Sequence, residues 1–230
     1  MPCGGGDIGL NVWVEKGNLY VYMARSGSFD ENNALLKAGR LKLTFTPDIF
    51  TGDHFKQELH LEQGYVTISV EKNGIKTTVK IWTDVFAPVV HLDISSNKKI
   101  TTTASYESWR YQDRILQQKE NFGNSWKWAA PEKNIGRKDE IYFKDNGVWF
   151  YHYNKSPSIF DATVSEQGLD SVKDSLYNPL KDLCFGGTFF GKNFVTAGTY
   201  KGIYTNTDFK GWTLKSKSPA KNQSLDVYLH

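Results

Sequence analysis

Apolar side chains alternate with polar ones along much of this chain. From Ile8 to Val14 the residues Ile8, Leu10, Val12 and Val14 alternate with Gly9, Asn11 and Trp13, the period of a half-buried strand whose successive side chains point to opposite faces. Lys16-Gly17-Asn18 then makes a turn. Leu19 to Ala24 supplies the hairpin partner, with Leu19, Val21 and Met23 on one face and Tyr20 and Tyr22 on the other. The same alternation runs through Arg40 to Phe45, Phe55 to Leu61, Tyr65 to Val70 and Ile75 to Thr83. Lys72-Asn73-Gly74 and Asp145-Asn146-Gly147 separate such runs, and Asn-Gly favours tight turns because both residues tolerate positive φ. Phe185 to Phe190, Phe194 to Thr199, Ile203 to Thr205, Gly211 to Lys215 and Leu225 to Leu229 continue the pattern. Helical signals are thin: Gln112 to Asn121 and Leu169 to Leu176 are long enough for a few turns, but neither carries a long apolar stripe. Short strands separated by turn residues predict an all-β fold. The length favours a large two-sheet antiparallel β-sandwich, supersandwich-like, with a few short helices.

The chain has 230 residues, enough to bury a sizeable core without disulfide staples. No repeat or linker interrupts the strand pattern, so residues 1–230 read as one domain. With 28 basic and 25 acidic side chains the net charge is +3, short of the basic bias of a nucleic-acid binder. No apolar run is long enough to span a bilayer. Met1-Pro2-Cys3-Gly4-Gly5-Gly6-Asp7 lacks the features of a secretory signal and reads as a cut start. Cys3 and Cys184 form no C-x-x-C pair, so neither a zinc ribbon nor a redox motif is present. A long-range disulfide and two buried thiols both fit. His54, His60, His91 and His152 show no metal-ligand spacing, and no metal or cofactor is expected.

The Gly-rich start, Gly4 to Gly9, lacks the Lys-Ser/Thr of a phosphate loop and leads into a strand. A tight turn where backbone approaches another backbone or a ligand is the simpler reading. A glycosidase needs two acids about 5 to 10 Å apart, and Asp30, Glu31, Glu58, Glu62, Asp84, Asp139 and Glu140 offer candidates without naming a pair. Solvated positions explain most of them. No Gly-x-Ser-x-Gly occurs. The composition is rich in aromatics, with 7 Trp, 12 Tyr and 14 Phe. Within the irregular section from Tyr106 to Arg137, Ser108-Trp109-Arg110-Tyr111 and Ser125-Trp126-Lys127-Trp128 set indoles beside cations. Such a mixture stacks on sugar C–H faces while bonding the hydroxyls, which makes Trp109, Arg110, Trp126 and Trp128 candidate carbohydrate-binding residues. Core packing or a domain interface explains the same residues. Glu107, Asp113, Glu120 and Glu132 interrupt any basic stripe for nucleic acid.

Met1 to Glu15, with its Pro2-Cys3-Gly4-Gly5-Gly6-Asp7-Ile8-Gly9 opening, resembles the first motif of an N-terminal β-sandwich domain in a bacterial group of glycoside hydrolases, domain of unknown function 5703. Ser28-Phe29-Asp30-Glu31-Asn32 with Leu35 to Arg40 resembles that group's second motif. Glu107-Ser108-Trp109-Arg110 resembles the third, and Asn178-Pro179-Leu180 with Phe185-Gly186-Gly187 the fourth. A looser similarity reaches the N-terminal domain of glycoside hydrolase family 95 α-L-fucosidases, although Gly5 and Asp7 stand where that family has Asn and Arg. The resemblance implies a sandwich that precedes an (α/α)6 toroid bearing the catalytic acid and base, so no catalytic residue is expected in this chain. It also implies export to the periplasm or cell surface. The expected partners are the C-terminal helical catalytic domain of the same polypeptide, met through Gly4, Gly5, Gly6 and Asp7, and carbohydrate. Three rivals remain: a stand-alone carbohydrate-binding domain, a complete enzyme with Asp30 or Asp84 as acids, and a purely structural or interaction domain whose loops do not touch substrate.

Overall fold

The computed structural model describes residues 1–52, 54–127 and 129–230. In chain order the strands are β1 (Pro2–Gly5), β2 (Ile8–Glu15), β3 (Asn18–Phe29), β4 (Leu35–Thr46), β5 (His54–His60), β6 (Tyr65–Lys72), β7 (Ile75–Thr83), β8 (Val89–Ser108), β9 (Arg114–Ile115), β10 (Ile135–Gly136), β11 (Glu140–Lys144), β12 (Gly147–Tyr153), β13 (Cys184–Gly191), β14 (Phe194–Tyr204), β15 (Thr207–Ser216) and β16 (Ala220–Leu229). Helix α1 (Ile159–Glu166) and 3₁₀ segments at Gln118–Gly123 and Asp170–Ser175 complete the described elements.

Two antiparallel layers result, as the alternation predicts. The first runs β1-β2-β3-β4-β8-β15-β14 and the second β5-β6-β7-β8-β16-β13-β12-β11. Strand β8 belongs to both. Its first part, Val89 to Ser96, pairs with β7 and β16, and its last part, Thr101 to Ser108, pairs with β4 and β15. The chain crosses back between layers from β15 to β16 beside the same corner, where Thr102 N–H donates to Ser216 Oγ at 3.1 Å and Gln223 Nε2 donates to Ile100 O at 2.9 Å. Inward positions of the first sheet (Val12, Leu19, Val21, Met23, Leu41, Leu43) meet those of the second (Val66, Ile68, Val79, Ile81, Leu92, Val227) in one core. Each such side chain contributes about 1.5–3 kcal/mol by leaving water. Tyr106 of the first sheet stacks on Phe150 of the second with ring centroids 4.1 Å apart.

Several details differ from the sequence reading. Pro2–Gly5 is a strand, so the turn shrinks to Gly6-Asp7. Asp145 and Asn146 carry the positive φ angles of their hairpin, and Gly147 already belongs to β12. Gln112 to Asn121 and Leu169 to Leu176 yield 3₁₀ segments, whereas α1 arises at Ile159, where Asp161 Oδ2 accepts from Ser158 N–H at 2.6 Å and Ser158 Oγ at 3.1 Å. Both cysteines are free thiols, Cys3 half-buried and Cys184 exposed. Neither the disulfide nor a pair of buried thiols is realised. Of the aromatics, ten of the described ones are buried, so the excess lies on outer faces and loops rather than in the core. Among the described residues no helix is long and apolar enough to cross a membrane.

Candidate functional site

With Val12, Leu19, Val21 and Met23 turned inward, period two sends Trp13, Tyr20 and Tyr22 to the outer face of the first sheet. There Trp13 lies 5.2 Å from Tyr20 and 4.9 Å from Tyr22, centroid to centroid. Strand β4 joins them through a bulge. Met23 pairs with Gly39 and Ala24 with Lys37, leaving Ala38 as the extra residue. Gly39 has φ +109, and a Cβ there would lie 2.5 Å from the Tyr106 ring, whose hydroxyl donates to Ala38 O at 3.0 Å. Residues three apart on a regular strand face opposite sides; the bulge lets Lys37 and Arg40 share one side. Both stand over Tyr22, Lys37 Nζ at 4.5 Å and Arg40 Cζ at 5.8 Å from its centroid.

Arg40 is only 3% exposed. Its Nε and Nη2 donate to Glu107 Oε2 at 2.6 and 2.5 Å. Its guanidinium sits 4.0 Å from the Tyr204 ring, 4.8 Å from Tyr20 and 5.1 Å from Phe209. Glu107 is equally buried, and its Oε1 accepts from the Tyr200 hydroxyl. Burial and the adjacent Glu107 charge push that phenol far above its ordinary pKa. Gly211 leaves room for the Tyr200 ring, because a Cβ there would collide with it. Above this floor opens a cleft of about 410 Å³, lined by Tyr22, Lys37, Trp109, Arg110, Tyr204 and Phe209 among others. Trp109 meets Tyr22 edge to face at 5.9 Å. Arg114, also on the rim, donates from Nη1 to Glu120 Oε2 at 2.7 Å.

Behind Trp109 lies a buried charge network. Ser108 follows Glu107 on β8 and donates to Asp139 Oδ2 at 3.3 Å. Arg110 grips Asp139 with Nε at 2.9 Å and Nη2 at 2.8 Å, and donates to Lys37 O at 2.8 Å. His152 spans two carboxylates: Nδ1 to Asp139 Oδ1 at 3.1 Å and Nε2 to Glu31 Oε2 at 3.2 Å. Burial opposes its charge, but the bonds to Asp139 and Glu31 win and hold its pKa up at about 9. The ring is therefore an imidazolium donating from both nitrogens at neutral pH. Asp139 is held below its usual pKa because Arg110 and His152 outweigh its burial. Burial raises that of Asp30, despite the N–H groups of Asn32 and Ala34 that its Oδ1 accepts at 3.0 and 2.8 Å.

The predicted sugar platform is thus divided. Trp109 and Arg110 flank the cleft, while Trp126 lines a different cavity and donates from Nε1 to Asn32 Oδ1 at 2.9 Å. Trp128 lies outside the described residues. Asp30, Glu31 and Asp139 are buried, not solvated. At the edge of the first sheet, a Cβ on Gly5 would lie 2.7 Å from Thr83 Oγ1, so that glycine answers a contact within the chain. Gly4 and Gly6 flank it, and Asp7 accepts from Arg25 Nε at 2.7 Å. His152, Arg40 and Glu107 were not named as site residues from sequence. For His152 the signal existed: it continues the inward series Val148, Phe150 along β12. Arg40 and Glu107 stand within the second and third motifs, but nothing local in either motif marks them as a buried pair.

Fold and site define a two-sheet β-sandwich protein whose outer face carries an aromatic, arginine-bearing cleft backed by a buried ion network. Residues 1–230 match the family described as Domain of unknown function (DUF5703), through its N-terminal part, and the chain belongs to that family. No curated protein matches it. Among solved structures it is similar to a "Putative kojibiose phosphorylase from human microbiome", with TM-score 0.37 and 9% identity. That similarity covers 100% of this chain and 29% of the other, so the chain spans less than a third of that protein's length.

Proposed function

We propose that this chain is a non-catalytic N-terminal module of a glycoside hydrolase and that its outer-face cleft holds carbohydrate. The carrying observation is the lining: the Tyr22, Trp109, Tyr204 and Phe209 rings beside Lys37 and Arg110 in about 410 Å³. Aromatic faces pack against sugar C–H groups while the cations bond hydroxyls, and such a volume suits a small ligand. The acids near the cleft are engaged: Glu107 by Arg40 and Tyr200, Glu120 by Arg114, Asp139 by Arg110 and His152. This supports catalysis on another domain, the helical (α/α)6 unit of the same polypeptide. Strand β1, an edge strand with Gly4, Gly5 and the Gly6-Asp7 turn, offers backbone on which that unit would pack. Export to the periplasm or cell surface belongs to the same reading.

A second reading, a stand-alone carbohydrate-binding domain, is favoured by Tyr22, Lys37, Trp109 and Arg110 supplying ring faces and cations together in one cleft. Calorimetric titration with oligosaccharides, alongside an aryl-glycoside panel, tests both. The expected result is binding that weakens about tenfold or more in Trp109→Ala, without turnover. Turnover abolished by one Asp or Glu substitution, or binding indifferent to Trp109→Ala, would refute the proposal.

A further inference from the structure

Strand β4 sends three cations to the outer face of the first sheet. Lys37 and Arg40 share that side through the bulge, and Lys42, two residues further on and paired with Tyr20 and Ser105, shares it too. Of the three, Arg40 is neutralised by Glu107. Lys37 Nζ stands 4.5 Å from the Tyr22 centroid and Lys42 Nζ 5.7 Å from that of Tyr200, and neither lysine forms an ion pair among the described residues. Lys37 is exposed and Lys42 half-buried, so neither is sealed off from a ligand. The nearby carboxylates are already taken. Glu107 holds Arg40 and accepts from the Tyr200 hydroxyl, and both oxygens of Glu120 bond Arg114, at 2.7 and 2.5 Å. Glu15 accepts from the Tyr204 hydroxyl at 2.9 Å and lines neither the cleft nor the trough beside it. The cleft beneath Trp109 thus has four cationic lining side chains, Lys37, Arg40, Arg110 and Arg114, against one acid, Glu120. That trough, of about 300 Å³, sets Lys42 and Tyr200 among the hydroxyls of Thr44 and Thr103, with no carboxylate in its lining. Arg40 and Lys42 are two residues apart, about 7 Å along the strand, so the trough adjoins the cleft.

We propose that cleft and trough together bind an acidic oligosaccharide, whose carboxylate or sulfate groups meet Lys37 and Lys42 while a sugar ring rests on Trp109. This inference rests on the carbohydrate reading of the cleft and names the class of sugar. The two lysines are roughly 15 Å apart along β4, a span that calls for a ligand of several sugar units. A neutral glycan would gain nothing from their charge, and a cationic one would be repelled. Both lysines stay partly in water, so each contributes modestly and its contribution is screened by salt.

Calorimetric titration of the 230-residue chain with tetrasaccharides of galacturonate, alginate and carrageenan, beside neutral galactotetraose and xylotetraose, tests it. At least one acidic tetrasaccharide should bind about tenfold or more tighter than either neutral one at low salt, and the difference should shrink as salt is added. Galacturonate and alginate report a carboxylate ligand, carrageenan a sulfated one. Lys37→Gln and Lys42→Gln should each weaken the acidic ligand about three- to fivefold and leave neutral binding unchanged, whereas Lys37→Arg and Lys42→Arg should retain it. Failure of all three acidic tetrasaccharides to bind overturns the proposal. So does neutral binding as tight as acidic binding, or acidic binding indifferent to both Gln variants. In those last two cases the cleft reading itself survives if Trp109→Ala still weakens binding, and falls if it does not.

Discussion

Replacing His152 by Gln removes an imidazolium held between Glu31 and Asp139, 3.2 and 3.1 Å away. The rise of its pKa from 6.5 to about 9 on folding corresponds to about 3 kcal/mol of preference for the charged ring in the native state. Because the folded value is the higher one, this contribution is complete below 6.5, where both states are protonated. Between 6.5 and about 9 the unfolded chain binds fewer protons than the native one, so stability falls as pH rises. Above about 9 the contribution is gone. The variant should lose about 3–5 kcal/mol near neutral pH, since the two carboxylates then lack their shared cation. Near pH 10 the deficit should shrink to about 1 kcal/mol, the scale of a neutral hydrogen bond. Urea unfolding of both proteins at closely spaced pH values measures this. Subtracting the curves cancels Cys3 and the tyrosines, which titrate in both proteins. A difference that does not change with pH would refute the assignment of an imidazolium.

Arg40→Leu should cost about 3–5 kcal/mol by urea unfolding, because Glu107 stays buried without its cation, whereas Arg40→Leu with Glu107→Leu should recover most of that loss. Equal costs for the single and double variants would contradict the buried pair. Gly39→Ala forces a methyl toward the Tyr106 ring at φ +109 and should cost about 2–4 kcal/mol, visible in calorimetry as a Tm lowered by several degrees. An unchanged Tm would mean that the bulge can relax.

The outer strands and their turns were legible because their apolar residues alternate without interruption, as in Val12 against Trp13 and Leu41 against Lys42. Strand β8 was missed for a physical reason. Its inward series Val90, Leu92, Ile94 serves one layer and Ile100, Ala104, Tyr106 the other, while the corner between them is the polar stretch Ser95 to Lys99. The inward positions keep one phase throughout, but Ser96, Lys98 and Thr102 fall among them, so the apolar contrast that marks a strand is lost at the corner. Helix α1 was missed although Ser158 and Asp161 stand at capping distance; an eight-residue helix has little periodicity to read. Trp109 and Arg110 were recognised as site candidates by chemistry alone. Their separation from Trp126, and the burial of Glu31, depend on contacts more than ninety residues apart, such as Trp126 with Asn32 and His152 with Glu31. No local pattern encodes those.

The shared strand β8 also sets an order of events for the folding chain. Its first half can pair at once with β7, which immediately precedes it, but its other partner there, β16, comes much later: His91 meets Asp226 across 135 residues. Until β15 and β16 arrive, β8 presents an unpaired edge in both halves, with Leu92 and Tyr106 not yet enclosed. Long-range pairing of this kind is slow, and an open edge accepts wrong partners. The strand that unites the native layers is thus the one most open to misassembly on the way there.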